Sequence, residues 1–118
     1  MLRVSSQMTG TEVDVAAVNG TGRADAGVEH GALLLAFTEA VMRGESAATE
    51  RGRLQAVLSP ESFVDAAAVI GSFSVVDRIA DATGIPLDSV MVAMSKEVRD
   101  QLDLARFASA ANTPGTSD

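Results

Sequence analysis

The stretch SPESFVDAAAVIGSFSVVDRIADATGIP, residues 59–86, carries the clearest structural signal in the sequence. Ser59 belongs to the residue types that cap helix N-termini, and Pro60 suits the first helical position. Gly84, followed two residues later by Pro86, is typical of a helix end. The sequence therefore predicts one long helix between these two sets of signals.

Apolar side chains recur along this helix at steps of three and four residues, which predicts a stripe that faces a hydrophobic core. The stripe contains Phe63, Ala66, Ala67, Ile70, Phe73, Val76 and Ala80. We expect Phe73 to be a core residue. If it is fully buried, Phe73→Ala should lower the free energy of unfolding by about 3–5 kcal/mol.

Three further helical stretches are predicted. The first covers about residues 28–43 and is followed by Gly44, a residue that favours the left-handed cap after a helix. The second covers about 47–58 and has a weaker pattern. The last covers about 87–109, starts near Asp88, and would be roughly 34 Å long if unbroken. A helix of that length suggests that its far end packs on another chain.

Charged and apolar positions divide the predicted last helix into two faces. Lys96 and Asp100 are opposite charges four residues apart, as are Arg99 and Asp103, which indicates a solvated face. We expect the apolar face to fill a core. Its members are Met91, Met94, Val98, Leu102 and Ala105.

The predicted fold class is all-α, a small bundle of about four helices over residues 28–111 with an irregular N-terminal arm. Residues 1–27 are rich in glycine and polar residues, so we expect an irregular or mobile arm with a short helical stretch near 11–18. The polar residues 112–118 predict a disordered tail.

Composition excludes several classes of function. The chain has 118 residues and a net charge of −7, which disfavours binding to nucleic acid or to an anionic membrane surface. It contains no cysteine, so thiol catalysis and thiolate metal sites are excluded, and its single histidine excludes a histidine metal cluster. We expect no cofactor. No stretch resembles a secretory signal or a membrane span, and we expect a cytoplasmic protein.

Four residues are candidates for a catalytic site. His30 is the only imidazole and is a candidate general base near neutral pH, although a surface histidine near a helix start is the simpler interpretation. Asp77 and Asp81 are one helical turn apart and form a candidate carboxylate pair, with Arg78 placed to neutralise Asp81. We favour the alternative that these three form a structural ion pair at a helix or subunit contact.

The region from 32 to about 90 resembles the C-terminal half of proteins in the carboxymuconolactone decarboxylase and alkylhydroperoxidase D-like superfamily. Three segments carry the resemblance in order. ALLLAFTEA (32–40) is similar to the family's ALLAFAEAL helix, and LSPESF (58–63) to its LSDEEI turn. SFSVVDRIADATGIPLD (72–88) is similar to the NFVNRIADATGIPLD ending of peroxidase-related members.

The resemblance implies an all-helical fold of alkylhydroperoxidase D-like type that assembles into symmetric oligomers. Many members are peroxidases that use a Cys-x-x-Cys helix, but residues 1–30 contain no cysteine and no version of that helix. Ser74 and Asp77 stand where related sequences often have asparagine. None of the family's catalytic residues is therefore carried over to this chain.

The residues and the resemblance together leave two alternative functions open. In the first, the chain is a degenerate, non-catalytic structural or interaction subunit that pairs with itself or with a full-length relative. In the second, it is a cysteine-independent acid–base enzyme, such as a decarboxylase or lyase, that acts on a small organic acid. In that case Asp77, Asp81 or His30 would act as acid or base, and Arg78 would bind the substrate carboxylate.

Overall fold

The secondary structure is entirely helical in the computed structural model, which describes residue 10 and residues 12–113. The four α-helices are α1 (Gly31–Met42), α2 (Ala48–Gln55), α3 (Pro60–Thr83) and α4 (Ser89–Gln101). Short 3₁₀ helices cover Val15–Asn19, Leu104–Arg106 and Ala108–Asn112. No strand occurs in this part of the chain, and the predicted all-α class with about four helices is confirmed.

The chain divides into two compact units. The first extends to Ser72 and the second begins at Phe73, so the division falls within α3. In the first unit α1 packs against α2. In the second, α4 contacts the 3₁₀ helix Leu104–Arg106, which in turn contacts the 3₁₀ helix Ala108–Asn112.

The first unit has a hydrophobic core between α1 and α2. Phe37 and Ala40 of α1 meet Ala47 and Leu54, and Leu54 is fully buried at 0% exposure. The ring of Phe63, from the first turn of α3, lies 5.6 Å from the ring of Phe37, centroid to centroid. The most buried side chain of the described residues therefore belongs to the helix with the weaker sequence pattern.

The segment before α1 is a series of turns organised by Asp14. Its carboxylate accepts hydrogen bonds from the backbone amides of Ala16, at 3.0 Å, and Arg23, at 2.7 Å. The predicted helical stretch near 11–18 is a 3₁₀ helix over Val15–Asn19. Residues 1–9 and 11 of the predicted arm, and residues 114–118 of the predicted tail, lie outside the described residues.

The helix α1 starts at residue 31, three residues later than predicted. His30 adopts a left-handed conformation with φ of 56°, which a right-handed helix cannot contain. The next position accepts only glycine, because a Cβ on Gly31 would lie 1.9 Å from the carbonyl oxygen of Asp25. Gly44, with φ of 70°, ends the turn after α1 as predicted.

The predicted boundaries of α3 are confirmed. The Ser59 hydroxyl accepts a hydrogen bond from the Ser62 amide at 3.1 Å, and Gly84 follows the helix with φ of 65°. The pKa of the Glu61 carboxyl lies below its ordinary value because its own backbone amide and the Ser59 hydroxyl hydrogen-bond to it. These contacts satisfy groups at the first turn that the helix itself leaves unpaired.

The prediction that Phe73 is a core residue is wrong, since Phe73 is 64% exposed. Phe63 and Ile70 do pack against the first unit's core, but Val76 is exposed like Phe73. The helix carries apolar side chains around much of its circumference, so its periodicity did not identify which side is covered.

The prediction of one long last helix is also wrong. The helix α4 ends at Gln101, and Asp103 then adopts a left-handed conformation with φ of 51° before the chain continues in 3₁₀ turns. Thirteen residues correspond to roughly 20 Å. A helix of this length gives no reason to expect that its far end packs on another chain.

Of the two charge pairs predicted for the last helix, one forms and the other does not. Lys96 contacts Asp100 at 2.8 Å, as predicted. Arg99 does not pair with Asp103 in the described structure. Its guanidinium donates instead to the carbonyl oxygen of Val92, at 2.9 Å, and to the hydroxyl of Ser95. The expected role of Met94 as a core residue is wrong, because Met94 is exposed.

Candidate functional site

A cavity of about 620 Å³ lies in the second unit, beside the last turns of α3, the end of α4 and the 3₁₀ helices. Its volume falls within the roughly 300–1,000 Å³ that is usual for small-molecule pockets. The larger apolar lining residues are Ile85, Leu87, Leu104 and Phe107, and the charged ones are Asp77, Asp81, Arg99, Asp100 and Asp103.

The cavity wall is held together by contacts between the loop after α3 and the last 3₁₀ helix. The amide of Leu87 donates to the hydroxyl of Thr113 at 2.9 Å, and Thr113 is buried. Gly84 lies close to the side chain of Asn112. Asp88 then caps α4 by accepting from the Met91 amide at 2.8 Å. These bonds fix the loop without any large buried side chain.

The charge of the cavity lining is negative. Among the described residues Asp100 pairs with Lys96, whereas Asp77, Asp81 and Asp103 are not in ion pairs. Arg99 is the one cationic side chain in the lining, and it is bound to its own helix. Because carboxylates repel an anion at short range, the cavity suits a neutral or cationic molecule better than an organic acid.

The structure brings together two of the four candidate residues. Asp77 and Asp81 both line the cavity, whereas Arg78 is not among the lining residues. His30 belongs to the first unit, where its Nε2 lies 3.7 Å from the Glu29 carboxylate. The arrangement therefore lends geometric support to the two carboxylates alone.

The end of α4 supplies a part of the cavity that the sequence pattern does not predict. In an unbroken helix, Arg99, Asp100 and Asp103 would lie on a solvated face. The chain instead turns at Asp103, where a non-glycine residue adopts a left-handed conformation. Aspartate tolerates that conformation better than most residues, which is the only sequence signal for the turn.

A second feature of this unit is its exposed apolar surface. None of the apolar side chains in residues 73–113 is buried, and nine large ones are between 41% and 65% exposed. They are Phe73, Val75, Val76, Ile79, Ile85, Leu87, Val90, Met94 and Phe107. If fully burying one such side chain removes roughly 60–120 Å² from water, the nine expose on the order of 500 Å² of apolar surface.

Other kinds of site receive no support from the described residues. They contain no group of three or more histidine, cysteine or acidic side chains placed to hold a metal ion. None of their helices combines the length and the apolar character required to cross a membrane. Comparison with protein-family models, curated proteins and solved structures finds no match to this chain.

Proposed function

We propose that this chain is a non-catalytic structural or interaction subunit whose second unit is completed by a partner. The observation that carries the proposal is the absence of any buried apolar side chain in residues 73–113, beside nine large apolar side chains that face solvent. Contiguous exposed apolar patches mark sites at which proteins bind other proteins, and the lack of buried apolar side chains in this unit supports such a site.

The energies involved are large for a chain of this size. Full burial of one large apolar side chain stabilises a protein by about 1.5–3 kcal/mol. Covering nine side chains that are roughly half exposed would therefore add stabilisation on the order of 10 kcal/mol. The entire stability of a typical domain is about 5–15 kcal/mol. A partner that covers even half of this surface would change the stability of the second unit substantially.

The nature of the partner follows from composition and from the resemblance described above. A net charge of −7 argues against nucleic acid. The similarity of 32–90 to alkylhydroperoxidase D-like proteins, together with the missing Cys-x-x-Cys helix, supports pairing with a second copy or with a full-length relative. We propose that the protein acts in the cytoplasm.

The solution mass of the purified chain, measured by light scattering, tests this proposal. We expect a defined oligomer, or a chain that becomes homogeneous only in the presence of its partner. A stable monomer whose second unit is well ordered would contradict the proposal, because such a unit would need no partner.

A second candidate function is supported by the cavity. Asp77 and Asp81 line a space of ligand size, so a cysteine-independent acid–base enzyme remains a proposal. The negative lining changes the expected substrate from an organic acid to a neutral or cationic molecule. Arg78 is not a lining residue and is not expected to bind substrate.

A thermal-shift screen of small neutral and cationic compounds tests the second candidate. A true ligand should shift the unfolding temperature of the wild type and of Arg78→Ala, and it should lose affinity in Asp77→Asn and Asp81→Asn. If the Arg78→Ala variant loses binding and the two aspartate variants retain it, the cavity is not the binding site.

A further inference from the structure

We propose that Asn19 is a site of self-modification. The backbone nitrogen of Gly20 attacks the side-chain amide of Asn19, ammonia leaves, and the residue becomes an aspartate or an isoaspartate. The site lies in the turns before α1 and uses neither the cavity nor the exposed apolar surface of the second unit. The inference is therefore independent of the proposed function.

The residue after Asn19 is the one that hinders the attack least. Gly20 has no Cβ, and apart from its neighbours no atom of the described residues lies within 4 Å of where a Cβ would stand. Its φ of 78° is a conformation that other residues rarely adopt. Asn19 and Gly20 are both exposed, so water and hydroxide reach the peptide bond between them.

Two donors hold the side-chain carbonyl of Asn19, and Thr21 supplies both. The Thr21 amide donates to Oδ1 at 3.1 Å, and the Thr21 hydroxyl donates to the same oxygen at 2.6 Å. These bonds fold the side chain forward along the chain, beside the Gly20 peptide. Negative charge develops on Oδ1 when a nitrogen adds to Cγ, and donors aimed at that oxygen stabilise it as an oxyanion hole does.

The reaction consumes only water, with hydroxide as the base. Hydroxide removes the proton of the Gly20 amide, and the nitrogen forms a bond to Cγ of Asn19 while the carbonyl electron pair moves to Oδ1. The pair then returns and the bond from Cγ to Nδ2 breaks. Ammonia leaves with a proton taken from water, which restores the hydroxide. Water then opens the succinimide ring, at Cγ to give aspartate or at the backbone carbonyl to give isoaspartate.

One hydrogen bond opposes the attack. The Gly20 amide donates to the carbonyl oxygen of Ala17 at 3.2 Å, at the end of the 3₁₀ helix Val15–Asn19. A deprotonated nitrogen cannot keep this bond, so the last turn has to open first. The bond is long and closes the exposed end of a short 3₁₀ helix, where local opening requires little free energy. We therefore expect a slow reaction of the native chain that does not require global unfolding.

The product changes the turns that Asp14 organises. Either product adds a negative charge near the Asp14 carboxylate, which already accepts from two backbone amides. Isoaspartate also adds one carbon atom to the backbone, where the chain passes close to itself. A Cβ on Gly22, for example, would lie 2.5 Å from the nitrogen of Ala17. The modification should therefore loosen residues 14–27 and leave the core between α1 and α2 intact.

Peptide mapping by mass spectrometry, on the full chain incubated at neutral and at mildly alkaline pH, tests the inference. We expect Asn19 to convert, and to convert faster in proportion to hydroxide. Asn112 is the other asparagine of the chain and serves as the internal control. It should stay intact over the same period, because the branched side chain of Thr113 crowds the nitrogen that would attack.

A matched pair of threonine variants tests the role of the turn. Thr21→Val removes one donor to Oδ1 and keeps the shape of the side chain, so it should slow conversion by about 2- to 10-fold, the effect of one neutral hydrogen bond. Thr83→Val removes an exposed hydroxyl that bonds to the Ile79 carbonyl, and should leave the rate unchanged. In urea, wild type and Thr21→Val should convert at the same rate, since the turn is lost.

An Asn19 that stays intact at alkaline pH, or that converts no faster than Asn112, would overturn the proposal. Equal rates for folded wild type and folded Thr21→Val, or a difference that persists in urea, would refute the role of the two donors. Hydrogen exchange of the converted chain should rise in residues 14–27 and stay unchanged in α1 and α2. Unchanged exchange throughout would refute the predicted effect on the turns.

Discussion

The two units of this chain contain similar helices but differ in what those helices cover. In the first unit α1 and α2 close over Leu54, and the Phe37 and Phe63 rings meet beside it. In the described part of the second unit no apolar side chain is buried, although several, such as Met91 and Leu102, are half-buried. Its long-range polar contacts include the bond between Leu87 and Thr113.

The difference shows that helix formation and core formation are separate requirements. Both units have well-placed caps, at Ser59 and at Asp88, which stabilise helix ends by about 1 kcal/mol each. Only the first unit adds the burial of large side chains that makes a helix pair stable in water. The comparison predicts where substitutions will matter and where they will not.

The largest contrast should come from one substitution made in both units. Phe37 is 4% exposed and Phe73 is 64% exposed. Phe37→Ala should lower the free energy of unfolding by about 3–5 kcal/mol, the usual range for a buried phenylalanine. Phe73→Ala, measured at a dilution where the chain is monomeric, should change it by less than about 1 kcal/mol. Urea denaturation measures both, and equal effects would refute the difference between the units.

A second substitution tests whether Leu54 is the centre of the core. Leu54→Ala should cost about 2–5 kcal/mol, because the side chain is fully buried and leaves a cavity. Val57→Ala, three residues along at an exposed position, serves as the control and should cost little. Thermal unfolding of the two variants decides the matter. A Leu54→Ala protein as stable as Val57→Ala would mean that the core lies elsewhere.

Removing a helix cap should lower stability by a smaller amount, and the part of the chain affected should differ between the two caps. Ser59→Ala should lower the stability of the first unit by about 1 kcal/mol, since the start of α3 packs against its core. Asp88→Ala should loosen α4 by a similar amount while the unfolding midpoint of the first unit stays unchanged. Hydrogen exchange resolves the two effects. A lower midpoint in Asp88→Ala would show that the units unfold together.

The smallest expected effect is a change in the stability of the folded chain at acidic pH. The pKa of the Asp25 carboxyl lies below its ordinary value, because the Gly27 amide donates to it and Arg23 lies beside it. A carboxyl whose pKa is lowered on folding stabilises the folded state above the unfolded pKa of about 4, and this contribution is lost as pH falls through the lowered value.

The acid effect is tested with Asp25→Asn. The variant should be slightly less stable than the wild type at neutral pH, and the difference should shrink as pH falls below about 4. Unfolding curves at several pH values measure it. A constant difference at every pH would show that the carboxyl's charge contributes nothing to the turn.

Local signals in the sequence predicted the start and end of α3 correctly, because caps act through neighbouring residues. Ser59 and Gly84 are such signals. The sequence did not predict which side of α3 is covered, since that depends on where α1 and α2 lie. Leu54 had no strong pattern around it, yet it forms the core because two helices meet there.

The candidate site could be predicted only in part. Asp77 and Asp81 are predictable from the sequence, because they lie one turn apart on a helix with clear end signals. Asp103 is not predictable, because its place in the cavity depends on a turn that interrupts an otherwise helical pattern. The resemblance to alkylhydroperoxidase D-like proteins remains a prediction that no comparison tests.

The central claim is that the first unit is stable on its own while the second requires a partner. Hydrogen exchange measured by mass spectrometry, at low and at high protein concentration, tests it most directly. We expect α1 and α2 to be protected at both concentrations, and residues 73–101 to gain protection only at the concentration where the chain associates. Equal, concentration-independent protection of both units would contradict the account.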